Sequence, residues 1–338
     1  GIFYSKDDKR NHDIDFPEPV YDVHSGKNAE FTADFLRLQY SSLVTPESTF
    51  DYHVKDQKLE VMKEEEIKNY NKEEFETSRK YVKVRDGTMV PISIVQKKGI
   101  STPAPMMLYG YGSYGYTIDA SFDSKIISLI ERGMIYVIAH IRGSGAMGRE
   151  WYENGKLLKK KNSFYDFIDC AKYLLDYKIT AKDRLVVYGA SAGGLLMGAV
   201  ATMNPELFHL VIARVPFVDV INTMLDDSIP LTTQEWEEWG NPKEKEYFEY
   251  ISSYSPYDNI EAKDYPHLLV TTGLNDPRVA YWEPVKFVAK IRALKTDDNE
   301  LLLKTNMGAG HSGASGRYSR MKEIAFLFGY ALDKVGLR

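Results

Sequence analysis

The sequence predicts an α/β protein in which helices cover both faces of a mostly parallel sheet. The first observation is a series of short, continuously apolar runs, which suit strands that are buried on both faces. The second is that segments of helical length lie between those runs, because this alternation produces a right-handed, doubly wound sheet. The apolar runs are 106–109, 134–139, 185–188, 210–213 and 267–271, and the helical segments are 123–132, 164–177, 195–203 and 282–294.

A different pattern precedes this part of the chain, so we expect a β-rich segment over residues 1–80 and the α/β domain over 81–338. Short alternating or aromatic stretches between turn-forming residues indicate antiparallel strands, although so few strands make a poor independent core. The Lys- and Glu-rich run 63–76 predicts a solvated connector. Stretches 81–84 and 90–95, joined through Asp86-Gly87, then predict a β-hairpin.

Composition limits the classes of function. The 338 residues carry a formal net charge of −5, which argues against a nucleic-acid binder. No apolar stretch is long enough to span a bilayer, and no signal peptide is visible. The single cysteine, Cys170, cannot form an internal disulfide, so we expect a buried thiol and a reducing, cytoplasmic location. No metal-binding or cofactor motif is present, so neither group is expected, while the oligomeric state is left open.

A candidate nucleophile follows the third apolar run. The order there is strand, Gly189-Ala190-Ser191-Ala192-Gly193, helix, which is the context that a Gly-x-Ser-x-Gly nucleophile elbow requires. Such a turn projects the serine hydroxyl above the sheet edge, and the amide of Ala192 would form half of an oxyanion hole. The alternative is a tight turn or a phosphate loop, but the glycines match neither Gly-x-x-x-x-Gly-Lys-Ser/Thr nor Gly-x-Gly-x-x-Gly. The motif therefore predicts the α/β-hydrolase fold with Ser191 as its nucleophile.

The remaining members of a catalytic triad follow in the order that this fold uses, Ser, then Asp, then His. Asp276 comes directly after the strand at 267–271, and His311 lies in a glycine-rich loop after the next apolar run, 301–305. His311 is the only histidine beyond Asp276. A lone aspartate in a turn most often stabilises the turn, but the three positions together predict that His311 takes the proton of Ser191 while Asp276 orients the imidazole.

Ser191 and His311 lie within motifs that resemble the prolyl oligopeptidase family of serine peptidases, and within it the branch that cleaves after basic residues. The likeness runs from about residue 80 to the end, and residues 33–65 resemble the last strands of that family's β-propeller. A whole propeller does not fit in residues 1–80, so we expect a carboxyl-terminal piece or a shortened member. The matching segments are 108–115, 141–145, 189–194, 215–219, 231–242 and 308–311.

The resemblance implies roles that composition alone would not suggest. Tyr111 matches a tyrosine whose hydroxyl completes the oxyanion hole. Glu235 and Glu237 match an acidic pair that selects Arg or Lys before the cleaved bond, since a carboxylate can pair with a guanidinium; by composition they are a charged helix end. Arg278 matches an arginine that grips a substrate carbonyl, and Phe217 is expected to contact substrate.

One departure from the family's pattern affects the expected specificity. The family's subsite for a second basic residue uses two aspartates, of which Asp119 matches the first, whereas Ser121 occupies the second position. The resemblance therefore implies a weaker preference for paired basic residues.

The sequence thus favours a serine endopeptidase that cleaves short basic peptides after Arg or Lys. One alternative is an esterase or exopeptidase with the same triad. Another is a non-catalytic module that has kept the fold, although a binding module has no use for all three triad groups.

Overall fold

The computed structural model describes residues 2–4, 11–30 and 32–337. Residues 1, 5–10, 31 and 338 fall outside the description, so the predicted segment 1–80 is covered only in part. The strands β1 to β14 are Ile2–Tyr4, Asn11–Asp13, Tyr21–Ser25, Phe35–Ser42, Ser48–His53, Lys58–Glu64, Phe75–Lys83, Met89–Lys97, Met106–Tyr109, Ile135–Ala139, Leu185–Ala190, Leu210–Arg214, His267–Gly273 and Leu301–Asn306. The helices α1 to α9 are Ser124–Ile130, Arg149–Glu153, Lys161–Asp176, Ala192–Met203, Val220–Leu225, Thr232–Trp239, Lys245–Ser252, Trp282–Leu294 and Arg317–Lys334.

An eight-stranded sheet forms the centre of the molecule, in the order β14-β13-β12-β11-β9-β10-β8-β7. The strands from β14 to β10 pair in parallel, whereas β8 is antiparallel to both β10 and β7. Each predicted apolar run occupies one of these strands, and each predicted helical segment forms a helix. The result is the doubly wound, mostly parallel sheet that the sequence predicts.

Apolar side chains on the two faces of this sheet form two separate cores. Alternate residues of one strand contribute to opposite sides, so Val187 packs with helices α3, α4 and α8 while its neighbour Val186 packs towards α1 and α9. Both valines are fully buried. The strands therefore need apolar residues at every position, which is why they appear in the sequence as continuous runs.

A four-stranded antiparallel sheet, in the order β3-β4-β5-β6, precedes the large sheet. It has its own small cluster of buried side chains, which includes Tyr40 and Phe50. Hydrogen bonds join it to the rest of the molecule: Phe122 N–H donates to Ser41 Oγ at 2.9 Å, and the Tyr70 hydroxyl donates to Val44 O at 2.5 Å. Val44 is buried in the core beneath α1 and α9, so this β-rich part packs directly against the large sheet.

The solvated connector predicted over residues 63–76 is shorter than expected. Strand β6 continues to Glu64, and β7 begins at Phe75, six residues before the predicted start at Tyr81. Phe75 is buried and pairs with Lys97. The start of this strand has no apolar pattern in the sequence, because β7 lies at the edge of the sheet, where several of its side chains are polar and meet water. The division of the chain into units at residue 80 stays a prediction.

Candidate active site

Ser191 occupies a sharp turn between strand β11 and helix α4. Its backbone has φ 59° and ψ −118°, a strained conformation that lifts the side chain away from the sheet. The turn needs small neighbours, because a Cβ on Gly189 would lie 2.2 Å from Gly193 O and a Cβ on Gly194 would lie 2.5 Å from the Cα of Pro216. The glycines around the serine therefore let strand and helix approach closely enough to form the elbow.

His311 stands between Ser191 and Asp276. Its Nε2 lies 3.0 Å from Ser191 Oγ, and its Nδ1 lies 2.8 Å from Asp276 Oδ2. With the ring proton on Nδ1, the imidazole donates to Asp276 and accepts from the serine hydroxyl. Asp276 and His311 follow the neighbouring parallel strands β13 and β14, whose carboxyl ends meet at one edge of the sheet. This topology brings together residues that are 120 positions apart in the chain.

The carboxylate of Asp276 is held in its ionised form. Burial alone would raise its pKa, but hydrogen bonds from His311 and from the amides of Val279 and Arg278 outweigh burial and lower the pKa below its usual value. Both amides donate to Oδ1 at 2.9 Å, which leaves Oδ2 for the imidazole. An ionised Asp276 can therefore hold His311 in one tautomer and stabilise its protonated form.

Two hydrogen-bond donors lie beside Ser191. Ala192 is the first residue of helix α4, so its amide has no acceptor within the helix. The Tyr111 side chain lines the same cavity and interacts with Ser191. Burial, reinforced by the charges of Glu238 and Glu235, raises the pKa of Tyr111 to about 12, so its hydroxyl keeps its proton at neutral pH. The pair can donate to an oxyanion formed at the carbon that Ser191 attacks.

The loop that carries Tyr111 is supported by a buried lysine. Lys160 Nζ donates to Gly112 O at 2.5 Å and to Ser113 Oγ at 2.8 Å, and its side chain is 1% exposed. Burial lowers the pKa of Lys160 to about 8, although the negative charge of Glu238 acts in the opposite direction and raises it. The sequence offers no signal for this contact, because Lys160 lies in a lysine-rich run, 156–161, that is typical of a solvated surface.

A cavity of about 370 Å³ opens next to Ser191. Three of the binding residues that the sequence predicts, Phe217, Glu235 and Arg278, line this cavity. Phe217 is 7% exposed and its ring lies 5.4 Å from that of Trp239, whereas Arg278 is exposed. The lining of the cavity consists of Tyr111, Tyr114, Ser191, Ala192, Phe217, Thr223, Met224, Ile229, Pro230, Leu231, Thr232, Gln234, Glu235, Trp239, Arg278 and Val279.

Among the described residues, Glu235 contributes the one carboxylate in that lining. Its Oε2 accepts two hydrogen bonds, from the Tyr114 hydroxyl at 2.8 Å and from Trp239 Nε1 at 2.8 Å. Two donors satisfy the lone pairs of Oε2, so Oε1 is the oxygen available to a ligand. The carboxylate is half-buried and oriented, which suits it to bind a cation that enters the cavity.

The structure does not bring two of the predicted binding residues to this cavity. Glu237 is exposed and lies outside the lining, although it is only two residues from Glu235. Successive residues of a helix are about 100° apart, so Glu237 lies about 200° around α6 from Glu235. Asp119 is also exposed, and burial together with the charge of Asp22 in the small sheet raises its pKa.

Glu238 is the acidic residue that the sequence analysis missed. It is 3% exposed and accepts hydrogen bonds from Tyr114 N at 3.0 Å and from the Tyr152 hydroxyl at 2.7 Å. The first bond anchors the backbone of Tyr114, which has the left-handed conformation, φ 60°, and whose hydroxyl reaches Glu235. Helical spacing was the available signal, since Glu235, Glu238 and Trp239 lie at positions i, i+3 and i+4 and therefore share one face.

Metal ligation and membrane insertion find no support in the part of the chain that the structure describes. No three His, Cys, Asp or Glu side chains among those residues gather as metal ligands would. No helix in that part of the chain is both long and apolar enough to cross a bilayer.

Comparisons with known proteins match both parts of the chain. The model of the prolyl oligopeptidase family matches residues 120–338, and the model of the N-terminal β-propeller domain of prolyl oligopeptidase matches residues 3–65. Among named relatives, Protease 2 of Moraxella lacunata is 47% identical over 96% of this chain and 47% of its own length. Dipeptidyl aminopeptidase BI of Pseudoxanthomonas mexicana is 46% identical over 95% of this chain and 45% of its own length.

Solved structures show the same relationship. Oligopeptidase B from Trypanosoma brucei, with antipain covalently bound, is 48% identical with a TM-score of 0.90, over 97% of this chain and 47% of that one. Oligopeptidase B from Leishmania major is 44% identical with a TM-score of 0.89, over 99% of this chain and 48% of that one. The chain therefore spans about half the length of the relatives that it matches.

Proposed function

Because the chain belongs to the prolyl oligopeptidase family, as its motifs predict, we propose that it is a serine peptidase. The observation that carries this proposal is the continuous hydrogen-bonded series from Ser191 through His311 to Asp276. A module that only binds a partner needs no such series, and a strained serine at its end has no structural purpose. Tyr111 and Ala192 complete the set as the donors of the oxyanion hole.

The mechanism follows from the positions of these groups. His311 Nε2 takes the hydroxyl proton of Ser191 as Oγ attacks the carbonyl carbon of the peptide bond. The carbonyl oxygen gains negative charge and receives hydrogen bonds from the Ala192 amide and the Tyr111 hydroxyl. The imidazolium then gives its proton to the departing amine, which leaves an acyl-enzyme. Water, deprotonated by His311, hydrolyses the acyl-enzyme and restores the serine.

We also propose that substrates are short peptides cut after Arg or Lys. Glu235 supports this specificity, since it is the carboxylate in the cavity beside Ser191 and its Oε1 is available to a cation. The oligopeptidase B name of two structural neighbours agrees with it. Glu237 and Asp119 have no place in this proposal, because both are exposed outside the cavity. Arg278, at the cavity mouth, would bind a substrate carbonyl.

A second candidate activity is removal of dipeptides from a free amino terminus. The name of one relative, Dipeptidyl aminopeptidase BI, favours it, and that relative is 46% identical. The two activities share the triad and differ in how the substrate's amino-terminal side is bound. Peptides with a blocked amino terminus therefore separate them, because an enzyme that must bind a free terminal amine does not cleave them.

The test has two parts. A fluorophosphonate probe should label the chain, and Ser191→Ala should abolish labelling; a folded chain without labelling refutes the peptidase proposal. A kcat/KM panel on blocked peptides with Arg, Lys, Pro or Phe before the cleaved bond should then favour Arg and Lys. Preference for Pro or Phe would refute the basic specificity, and cleavage only of unblocked peptides would favour the second candidate.

The cytoplasmic location remains a proposal that rests on the single cysteine. Cys170 is fully buried in helix α3, and burial raises the pKa of its thiol. A buried protonated thiol is unreactive, so Cys170 fits a packing role in a reducing compartment.

A further inference from the structure

Glu283 is a buried carboxylate that the mechanism above does not use. It lies in the first turn of helix α8, and its side chain is completely buried. An ionisable group is rarely placed in a protein interior without partners, because removing a charge from water costs several kcal/mol. The partners of Glu283 therefore indicate what it does.

Those partners all belong to one segment, residues 217–224, which joins strand β12 to helix α5 and continues into it. Glu283 Oε2 accepts hydrogen bonds from the amides of Val218 and Asp219, each at 3.0 Å. Its Oε1 accepts from the Thr223 hydroxyl at 2.8 Å. One carboxylate thus satisfies three donors, and it holds both the start of the segment and the helix that follows.

The same segment forms a wall of the cavity beside Ser191. Phe217, Thr223 and Met224 line that cavity, and the amide of Phe217 donates to Ser191 O at 3.3 Å. A displacement of the segment would therefore change the shape of the cavity next to the nucleophile. Glu283 itself does not line the cavity, so it would influence substrate only through these residues.

Helix α6, which carries Glu235, rests on the same segment. The Thr232 hydroxyl donates to Thr223 O at 3.1 Å, and Trp236 Nε1 donates to Met224 O at 3.0 Å. Glu235, the carboxylate proposed to bind the substrate cation, is thus connected to Glu283 through helices α5 and α6 and the hydrogen bonds between them. Helix α8 begins six residues after Asp276, so Glu283 lies close along the chain to the loop that carries the acid.

We propose that Glu283 is a positioning residue for substrate, which holds segment 217–224, and through it helix α6, in register with Ser191. The length of the Glu283 side chain is what matters, because it places the two carboxylate oxygens within hydrogen-bond distance of all three donors. Asp219 and Lys286 are the charged groups beside it, and they pair with each other at 2.5 Å. The effect on substrate rests on the proposed peptidase function, whereas the effect on the segment does not.

Two conservative variants separate reach from charge. Glu283→Asp keeps the charge but withdraws the oxygens by one methylene. Glu283→Gln keeps the reach and removes the charge; its amide oxygen can accept from Val218 and Asp219, and its NH₂ group can donate to Thr223 Oγ1. Glu283→Ala leaves all three donors unsatisfied and can prevent folding. The test of the proposal therefore uses Glu283→Asp and Glu283→Gln. Ile291→Ala, in the buried face of the same helix, serves as a matched destabilised control.

Hydrogen exchange measured by mass spectrometry tests the positioning without any need for activity. In Glu283→Asp, amides of residues 215–225 should exchange about tenfold faster than in the parent chain, because the withdrawn oxygens no longer reach the three donors at hydrogen-bond distance. Glu283→Gln should exchange like the parent there, and Ile291→Ala should show no selective change in that segment. Unchanged exchange in Glu283→Asp, or an equal rise in Ile291→Ala, overturns the proposal.

Kinetics then test the consequence for substrate. Glu283→Asp should raise KM for an Arg peptide about tenfold with kcat changed less than about threefold, while labelling by a small fluorophosphonate stays near the parent rate. Equal loss of peptide cleavage and labelling would show a general structural role and overturn the positioning role. If the parent chain itself is not labelled, the proposed function fails, and the exchange experiment alone decides the role of Glu283.

Discussion

Replacing Glu235 by Gln should remove the proposed preference for basic residues while leaving the chemistry intact. In the parent chain, Oε2 of Glu235 accepts from the Tyr114 hydroxyl and from Trp239 Nε1, both at 2.8 Å. In Glu235→Gln, the carbonyl oxygen of the new side chain must take the Oε2 position, because an NH₂ group there would face the Trp239 N–H. The NH₂ group then occupies the Oε1 position and meets the substrate cation.

The size of the effect follows from the kind of bond that is lost. A hydrogen bond to a charged group contributes about 1.5–3 kcal/mol, or roughly 10- to 150-fold in kcat/KM. Because the substitution also turns a donor towards the cation, we expect a value near the upper end, about 100-fold, for an Arg peptide. A Phe peptide or a small neutral ester should change by less than about threefold, since neither meets the carboxylate with a charge.

Glu237→Gln is the matched control, because it makes the same chemical change on the same helix at an exposed position outside the cavity. It should leave kcat/KM for both substrates within about threefold of the parent. Two results would refute the reasoning. One is an equal loss on Arg and neutral substrates in Glu235→Gln; the other is a loss of Arg selectivity in Glu237→Gln as large as in Glu235→Gln.

Three further predictions concern the triad, the oxyanion hole and the pH dependence of stability. Asp276→Asn should lower kcat about 10⁴-fold, because the amide favours the wrong tautomer of His311; a loss below about tenfold would contradict this. Tyr111→Phe should lower kcat about 10²-fold with little change in KM, since the hydroxyl acts on the oxyanion; a pure KM effect would contradict it. Burial raises the pKa of Glu283 from 4.5 to about 7, so its ionised form is disfavoured in the folded state. Its contribution to stability is therefore complete below pH 4.5 and falls, by about 3 kcal/mol, as pH rises through 7. Denaturant unfolding of the parent and of Glu283→Gln between about pH 5 and 8 should show this slope only in the parent, and parallel curves would refute it.

Local sequence was enough to predict the α/β fold and the candidate nucleophile. Strands buried on both faces must be apolar at every position, and helices between them produce a doubly wound sheet. A nucleophile elbow is also a local structure, because Gly189 on the strand lies against Gly193 on the helix that follows Ser191. Chain order then placed Asp276 after strand β13 and His311 after strand β14. Parallel strands carry their carboxyl ends to one edge, which is why the order along the chain predicted a meeting in space.

The edge strand β7 shows where composition is misleading. Its residues are mostly polar, because one side of an edge strand meets water, so its first two residues, Phe75 and Glu76, fell within the predicted solvated connector. Pairing with β8 is a non-local interaction that no single stretch reveals. The same limit applies to Lys160, whose burial depends on Gly112 and Ser113, which lie 48 and 47 residues away.

The sequence by itself therefore determined the buried strands of the large sheet, the elbow and the order of the candidate triad, since each depends on neighbouring residues or on strand order. Only the tertiary structure decided which acidic residues of helix α6 enter the cavity. Glu235 does so and Glu237 does not, because helical geometry turns them to different faces, while Glu238 is buried between Tyr114 and Tyr152. The three glutamates are nearly indistinguishable in the sequence, and their surroundings are contributed by segments that lie 124 and 86 residues away along the chain.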